Sequence, residues 1–256
     1  MRVAITGAAT GIGAEVAAKL GVAGHQVIAF DIAKPSGPID GWIETDMADS
    51  QSIDAALAKA EGPFDALINN AGLPPRPGLE KKILQVNYFG LRRFLNGMLD
   101  KMSGEGAIVN TASRAGAMWR DNLDQVKALA SMPENDLDAF ISTQGIDPTR
   151  AYNLSKEAVI VMTLAQTEQL LARGLRMNCV SPAAVSTDIL KDFTAAFGER
   201  VAKNVARVGR PGSPSEIADV IIFLASSQSA WIKGQDIVID GGMGAMAITD
   251  MLSLNG

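Results

Sequence analysis

Tyr152 and Lys156 lie four residues apart in Arg150-Ala151-Tyr152-Asn153-Leu154-Ser155-Lys156-Glu157, at the expected start of a long helix. On a helix that spacing puts both side chains on one face. An ammonium held beside a phenol favours the phenolate, so a tyrosine brought down from a pKa of about 10 can accept a proton near neutral pH. Taken alone, Y-x-x-x-K is also ordinary helix surface, and the chemistry needs partners. Metal and thiol chemistry find none in the sequence: a single histidine, His25, and a single cysteine, Cys179, make neither a zinc set nor a Cys–His pair. His25 reads as a turn residue after Gly24, and Cys179, inside Met177-Asn178-Cys179-Val180, as a buried structural thiol.

The elements that must position the pair alternate along the chain. The β-rich run Arg2–Thr6 leads into Gly7-Ala8-Ala9-Thr10-Gly11-Ile12-Gly13 and then a helical pattern from Ala14 to Ala23. Strand, glycine turn and helix in that order let a backbone approach a ligand closely and aim free N–H groups at an anion such as a pyrophosphate. A second strand, Gln26–Phe30, ends at Asp31, where a carboxylate can accept from a ribose diol and would repel a 2′-phosphate. With only Ala8 and Ala9 beside it, NAD is expected over NADP. Trp42–Asp46 reads as a third strand, Asp49 or Ser50 as the cap of a helix through Ala60, and Phe64–Ile68 as a fourth strand closed by Asn69-Asn70-Ala71-Gly72. Near the end, Ser213, Pro214 and Glu216 form a capping-box pattern opening a helix to about Ala225, and a last strand turning at Gly241-Gly242 is expected at the sheet's far edge.

This pattern predicts an α/β fold, a doubly wound parallel sheet of Rossmann type with helices on both faces, about seven strands, and one domain over residues 1–256. Ligands of such sheets sit at the carboxyl ends of the strands, where Thr6, Asp31, Asp46 and Asn69 fall. The net charge of −5 and the absence of a basic block argue against nucleic acid or an anionic membrane as partner. No apolar run approaches a membrane span, the first residues lack the layout of a signal peptide, and the lone cysteine suits a reducing cytoplasm.

With these pieces in order, the chain resembles the short-chain dehydrogenase/reductase family along essentially its whole length. The matching segments are Thr6 to Gly13, Asp46-Met47, Asn69 to Gly72, Asn87, Ser113, Tyr152 with Lys156, and Ser181-Pro182 to Thr187, followed by Gly209–Ile217 and Gly234–Gly242. The resemblance implies Tyr152 as general acid/base, Lys156 lowering its pKa and holding the nicotinamide ribose, Ser113 hydrogen-bonding the reacting oxygen, and Asn87 supporting a water beside the lysine. It implies NAD contacts from Gly7, Thr10, Gly11, Ile12, Gly13, Asp31, Asp46, Met47, Asn70, Ala71, Gly72, Tyr152, Lys156, Pro182, Val185 and Thr187, and no metal. Moving Tyr152 to a pKa of about 7 would require roughly 4 kcal/mol of preferential phenolate stabilisation.

Three departures narrow the reading. Only 17 residues separate Asn69 from Asn87, so the fourth crossover is trimmed. Between Ser113 and Tyr152 lie 38, more than the family commonly carries, and this insertion, about 114–150, should hold two short helices, with Leu137, Phe140 and Ile141 on one face. Ala183 stands where a glycine commonly follows the proline. The combination resembles the subgroup of 3α-hydroxysteroid dehydrogenase/carbonyl reductases and coniferyl-alcohol-type dehydrogenases, which implies a hydrophobic alcohol or carbonyl substrate. Met118, Trp119, Ala183, Leu190, Phe193 and Phe197 are candidates to line its pocket, under a lid at about 186–208. The chain is expected to form a homodimer or homotetramer, the insertion favouring the dimer because it precedes the helix that many relatives use for tetramer packing. The competing functions are an NAD-binding regulatory or scaffold protein without turnover, NAD-dependent oxidation of a small polar or sugar alcohol, and a lyase or epimerase using transient oxidation, for which the chain leaves little room.

Overall fold

The computed structural model describes residues 1–254, the side chain of Arg200 excepted; Asn255 and Gly256 of the expected 1–256 unit lie outside the described residues. The first half runs β1 (Arg2–Thr6), α1 (Gly11–Val22), β2 (Gln26–Asp31), β3 (Gly41–Glu44), α2 (Ser50–Lys59), β4 (Phe64–Asn69), α3 (Glu80–Leu84), α4 (Leu91–Met98) and β5 (Met102–Thr111). After it come α5 (Leu123–Ser131), α6 (Leu137–Gln144), α7 (Pro148–Ala165), α8 (Thr167–Leu171), β6 (Arg176–Pro182), α9 (Leu190–Phe197), α10 (Glu199–Val208), α11 (Pro214–Ala225), β7 (Asp236–Ile239) and α12 (Met243–Met251). The strands form one parallel sheet in the order β3-β2-β1-β4-β5-β6-β7, so the connection reverses direction between β1 and β4. A crevice opens there, at the carboxyl ends of the strands.

Both faces are covered, which is why the central strands are continuous apolar runs. Val3, Ile5, Val27, Ala66, Ile68, Val109 and Val180 pack under α1 and α11. Phe30, Leu67, Ile108, Met177 and Cys179 face the layer that includes α2, α4 and α7. Burying a valine or leucine fully is worth about 1.5–3 kcal/mol, so this two-sided packing makes a rigid floor for the site. The ends are set by local chemistry. Asp49 caps α2 by accepting from the Gln51 N–H, Asp147 caps α7 ahead of Pro148, and Ser213 and Glu216 close a reciprocal capping box on α11. β7 takes the edge, as its sequence suggested.

One local difference from the sequence reading has a clear cause, and one local feature was not read at all. The third strand is shorter than Trp42–Asp46, because Asp46 turns its carboxylate onto the Ala48 N–H at 2.8 Å and its own N–H onto Ser52, leaving the sheet. Between α3 and α4 the helix does not simply continue: Gln85–Gly90 winds as a π-helical turn with Asn87 inside it. Such insertions recur at functional positions because they re-aim a side chain. The two expected helices of the insertion are present as α5 and α6, with Leu137 fully buried and Phe140 and Ile141 packed against the core.

Candidate active site

The glycine turn after β1 is fixed by contact with the end of β4. A side chain at Gly7, φ +69°, would put its Cβ 2.6 Å from the Ala71 backbone, and one at Gly13 would sit 1.9 Å from the Gly7 carbonyl oxygen. Gly13 therefore serves helix-on-strand packing and does not line the cavity, whereas Gly7, Thr10, Gly11 and Ile12 do. Thr6 Oγ1 accepts from the N–H groups of Asn70 and Ala71 at 3.0 and 3.1 Å, and Asn70 Nδ2 donates to the Gly7 carbonyl at 3.0 Å. Thr10 gives α1 no side-chain cap, so N–H groups of its first turn remain to face a ligand. At the end of β2, Asp31 accepts from the Ala9 N–H at 2.9 Å and the Ala33 N–H at 3.0 Å, one bond on each carboxylate oxygen, which leaves further lone pairs on both. These features fit a dinucleotide: backbone donors where a pyrophosphate would lie, and an acceptor carboxylate where a ribose would lie.

Gly7, Thr10, Gly11, Ile12, Asp31, Asn70 and Ala71 border one cavity of about 760 Å³. Asp31, Asp46, Met47, Asn70, Ala71 and Gly72 line one end; Pro182, Val185 and Thr187 line the wall after β6; Ser113, Tyr152 and Lys156 stand on the floor. Of the candidate substrate residues, Ala183, Phe193 and Phe197 line the far end. Trp119 and Leu190 do not. Trp119 packs against the core with the Arg120 guanidinium 4.2 Å from its ring centroid. Leu190 lies half-buried at the start of α9, off the lining, while Met118 is exposed. The segment expected as a lid, about 186–208, contains α9 and α10, joined at Gly198 with φ 60°.

On α7 Tyr152 is 6% exposed and Lys156 4%. Burial pushes the Tyr152 phenol up to about 12, opposed by a hydrogen bond with Ser113, and burial pulls Lys156 down to about 8. This direction is the opposite of the phenolate expected from the sequence. The Lys156 ammonium lies 5.7 Å from the Tyr152 ring centroid and donates to the Thr111 carbonyl at 2.8 Å, so in the protein alone desolvation outweighs its attraction for a phenolate. Asn87 is fully buried: its Oδ1 accepts from the Leu73 N–H at 2.7 Å, and its Nδ2 donates to the Leu73 carbonyl at 3.0 Å and to Ser155 Oγ at 3.2 Å. Ser155 in turn donates to the Tyr152 carbonyl at 2.7 Å. The π turn thus ties the strand-four loop to the helix bearing Tyr152.

Matches to family models divide the chain between them: residues 1–123 match a model described as short chain dehydrogenase, and residues 137–244 one described as enoyl-(acyl carrier protein) reductase. A coniferyl-alcohol dehydrogenase of Pseudomonas sp. is 34% identical over 94% of this chain and 96% of its own. The chain belongs to the short-chain dehydrogenase/reductase family. It is an oxidoreductase fold with alcohol dehydrogenase and carbonyl reductase relatives. The 3-alpha-hydroxysteroid dehydrogenase/carbonyl reductase of Comamonas testosteroni is 33% identical over 95% of this chain and 96% of its own. Among solved structures, the 3-alpha-hydroxysteroid dehydrogenase from Pseudomonas sp. B-0831, complexed with NADH, superposes with a TM-score of 0.85 at 31% identity, covering 96% of this chain and 98% of that one.

Several cavity residues escaped the sequence reading. Arg114 and Ala115 follow Ser113 directly; Lys82 and Val86 lie one helical turn apart on the α3 side; Val201 and Asn204 come from α10, and Met243 and Ala247 from α12. The only available signal was the small, apolar run after Gly241-Gly242, which fits a helix laid over a hydrophobic mouth. Among the described residues no helix is long and apolar enough to cross a membrane, and no group of three or more His, Cys, Asp or Glu side chains could hold a metal ion.

Proposed function

We propose that this short-chain dehydrogenase/reductase transfers a hydride between NAD and a hydrophobic alcohol or carbonyl compound, steroid-like or aryl. The observation that carries the reading is the convergence of Tyr152, Ser113 and Lys156 beneath an apolar chamber walled by Phe193, Phe197, Val201 and Met243. Phe193 meets the Tyr152 ring edge-on at 5.2 Å and stacks on Phe197 at 6.4 Å, so a substrate oxygen at Tyr152 would have its carbon frame against aromatic faces.

A bound nicotinamide supplies the hydride acceptor or donor. In oxidation Tyr152 would take the alcohol proton as a phenolate, its own proton having first passed to solvent, an ionisation that Lys156 and the positive charge of a bound oxidised nicotinamide would favour; in reduction the phenol gives its proton to the reacting oxygen. Ser113 orients the reacting oxygen and pulls the phenol toward ionisation, while Lys156, held by the Thr111 carbonyl, keeps a cation within reach of the ribose. The 2′-OH preference follows from Asp31, whose carboxylate would face a 2′-phosphate with no basic side chain in the Gly7–Ile12 turn to offset it. Gly7, Thr10, Gly11 and Ile12 would cradle the pyrophosphate, Asp46 and Met47 the adenine side, and Thr187 the far phosphate or carboxamide. The test mixes the protein with NAD and then NADP, supplies steroid, aryl and sugar alcohols, and follows absorbance of the reduced cofactor. Turnover of apolar alcohols with NAD is expected; turnover confined to sugars, or to NADP, would refute the assignment.

A further inference from the structure

The insertion between Ser113 and Tyr152 is fastened to the helix that bears Tyr152. Its first turn, Arg114–Gly116, lies so close to α7 that a Cβ on Gly116 would meet the Lys156 carbonyl carbon at 2.8 Å and the Glu157 nitrogen at 2.9 Å. Further on, the carboxylate of Glu157, 1% exposed, receives both terminal nitrogens of Arg150, at 2.9 and 2.6 Å. Asn122 Nδ2 donates to the same carboxylate at 2.8 Å, and Arg150 Nε donates to Gln125 Oε1 at 2.7 Å. Asn122 and Gln125 belong to the insertion; Arg150 and Glu157 belong to α7 and bracket Tyr152 and Lys156 in sequence.

At about 100° per residue, Arg150 and Glu157, seven apart, share a face, and Tyr152 and Lys156 point well away from it. None of Asn122, Gln125, Arg150 and Glu157 lines the cavity, so the network sits outside the substrate chamber. A buried ion pair adds little net stability, since desolvation cancels most of its attraction, and its best-attested use is to fix register. Here the two segments it registers carry the two hydroxyls of the site: the insertion starts one residue after Ser113, and α7 carries Tyr152.

We propose that Glu157, gripped by Arg150 and Asn122, is a positioning residue that sets the Ser113–Tyr152 alignment by locking the insertion onto α7. This rests on the reading of Ser113 and Tyr152 as the groups that handle the substrate oxygen. A displacement of about 1 Å at such a pair costs on the order of 100-fold in rate even when the change lies away from the chemistry.

The test replaces the pair by apolar side chains of similar size, Arg150→Met with Glu157→Leu, so that no buried charge is stranded, and measures thermal stability, NAD affinity by calorimetry, and kcat and KM for the alcohol that the wild type turns over best. The expected result is a folded protein with an unchanged NAD affinity, kcat lower by on the order of 10- to 100-fold, KM within about threefold, and a larger solvent isotope effect as proton transfer becomes limiting. A folded double variant with wild-type kcat overturns the proposal. Should the double variant not fold, Asn122→Ala with Gln125→Ala cuts only the insertion's side of the lock; the same kcat-specific loss supports the proposal, and an unchanged kcat overturns it. Failure of the functional reading is separate: wild type itself would then oxidise no apolar alcohol.

Discussion

At the Asp31 end of the cavity, the wall is placed by the backbone: Asp31 by two N–H bonds, Asn70 by the Gly7 carbonyl, the glycine turn by contact with Ala71, with Thr6 on β1 bracing the turn from beneath. At the Phe193 end the wall is made of apolar side chains from α9, α10 and α12, three helices that have no fully buried residue among those described, with contacts such as the Arg207–Asp250 ion pair joining α10 to α12. The first end is a fixed mould for one ligand. The second can be rebuilt by changing side chains without disturbing the sheet, which lets one scaffold serve many alcohols.

The sharpest way to break this comparison is at the point where the two ends meet. Tyr152→Phe removes only the hydroxyl from a ring packed edge-on against Phe193, so the fold and NAD binding should persist while kcat falls by about 10²–10⁴-fold. Steady-state rates beside calorimetric NAD titration decide it. Full activity in this variant would remove proton transfer from Tyr152 and with it the proposed mechanism.

Lys156 tests how much the fixed end costs the fold. Its folded pKa of about 8 lies below its ordinary 10.5, so between those values the unfolded chain binds more protons than the folded one. Stability attributable to this site is therefore lowest below pH 8 and rises as pH climbs toward 10.5. Lys156→Met abolishes the titration, and the wild-type stability measured relative to this variant should climb by about 2–3 kcal/mol from pH 7 to pH 10 in urea denaturation. A flat difference would mean that the lysine is solvated in the folded state.

The same contrast governs what the sequence reveals. Glycines at 7, 11 and 13, a carboxylate at a strand end, and Tyr152 four residues before Lys156 are chemical choices that few other structures would require, so the parallel doubly wound fold, its edge strand and the meeting of Ser113, Tyr152 and Lys156 at one cavity were legible. Trp119 and Leu190 were equally eligible wall residues by composition, yet the core absorbs one and the start of α9 turns the other off the lining. For Met243 and Ala247 the sequence offers only an apolar run after Gly241-Gly242, and for Asn204 nothing local, because the folding of α12 and α10 over the chamber is set by distant packing. The direction of the Tyr152 shift was missed for a related reason: spacing reveals a neighbouring ammonium, whereas burial is a property of the whole packed core.

Phe193 sharpens the other half of the comparison. Phe193→Ala removes the ring that covers Tyr152 and should raise KM for apolar alcohols roughly tenfold, about 1.4 kcal/mol, with little change in the affinity for NAD. Kinetics on a ladder of alkyl and aryl alcohols would show the loss growing with substrate size. Equal losses for the smallest and largest substrates would place Phe193 in the core rather than in the wall.

The smallest effect is expected where the two ends are joined from outside. Arg76, on the loop that Asn87 holds through Leu73, pairs with Asp192 on α9 at 2.8 Å, and the next residue along is Phe193. Arg76 is nearly half exposed, and its hydrogen bond holds the Asp192 carboxyl below its ordinary range. Solvent-facing pairs of this kind contribute little and are screened by salt, so Arg76→Ala should shift the docking of α9 by less than about fivefold. That shift would appear as a modest rise in KM at low ionic strength that fades as salt is added, with kcat preserved or raised if product release limits turnover. An Arg76→Ala effect that persists at high salt would mean that α9 is held by packing, and that the Phe193 end is as fixed as the Asp31 end.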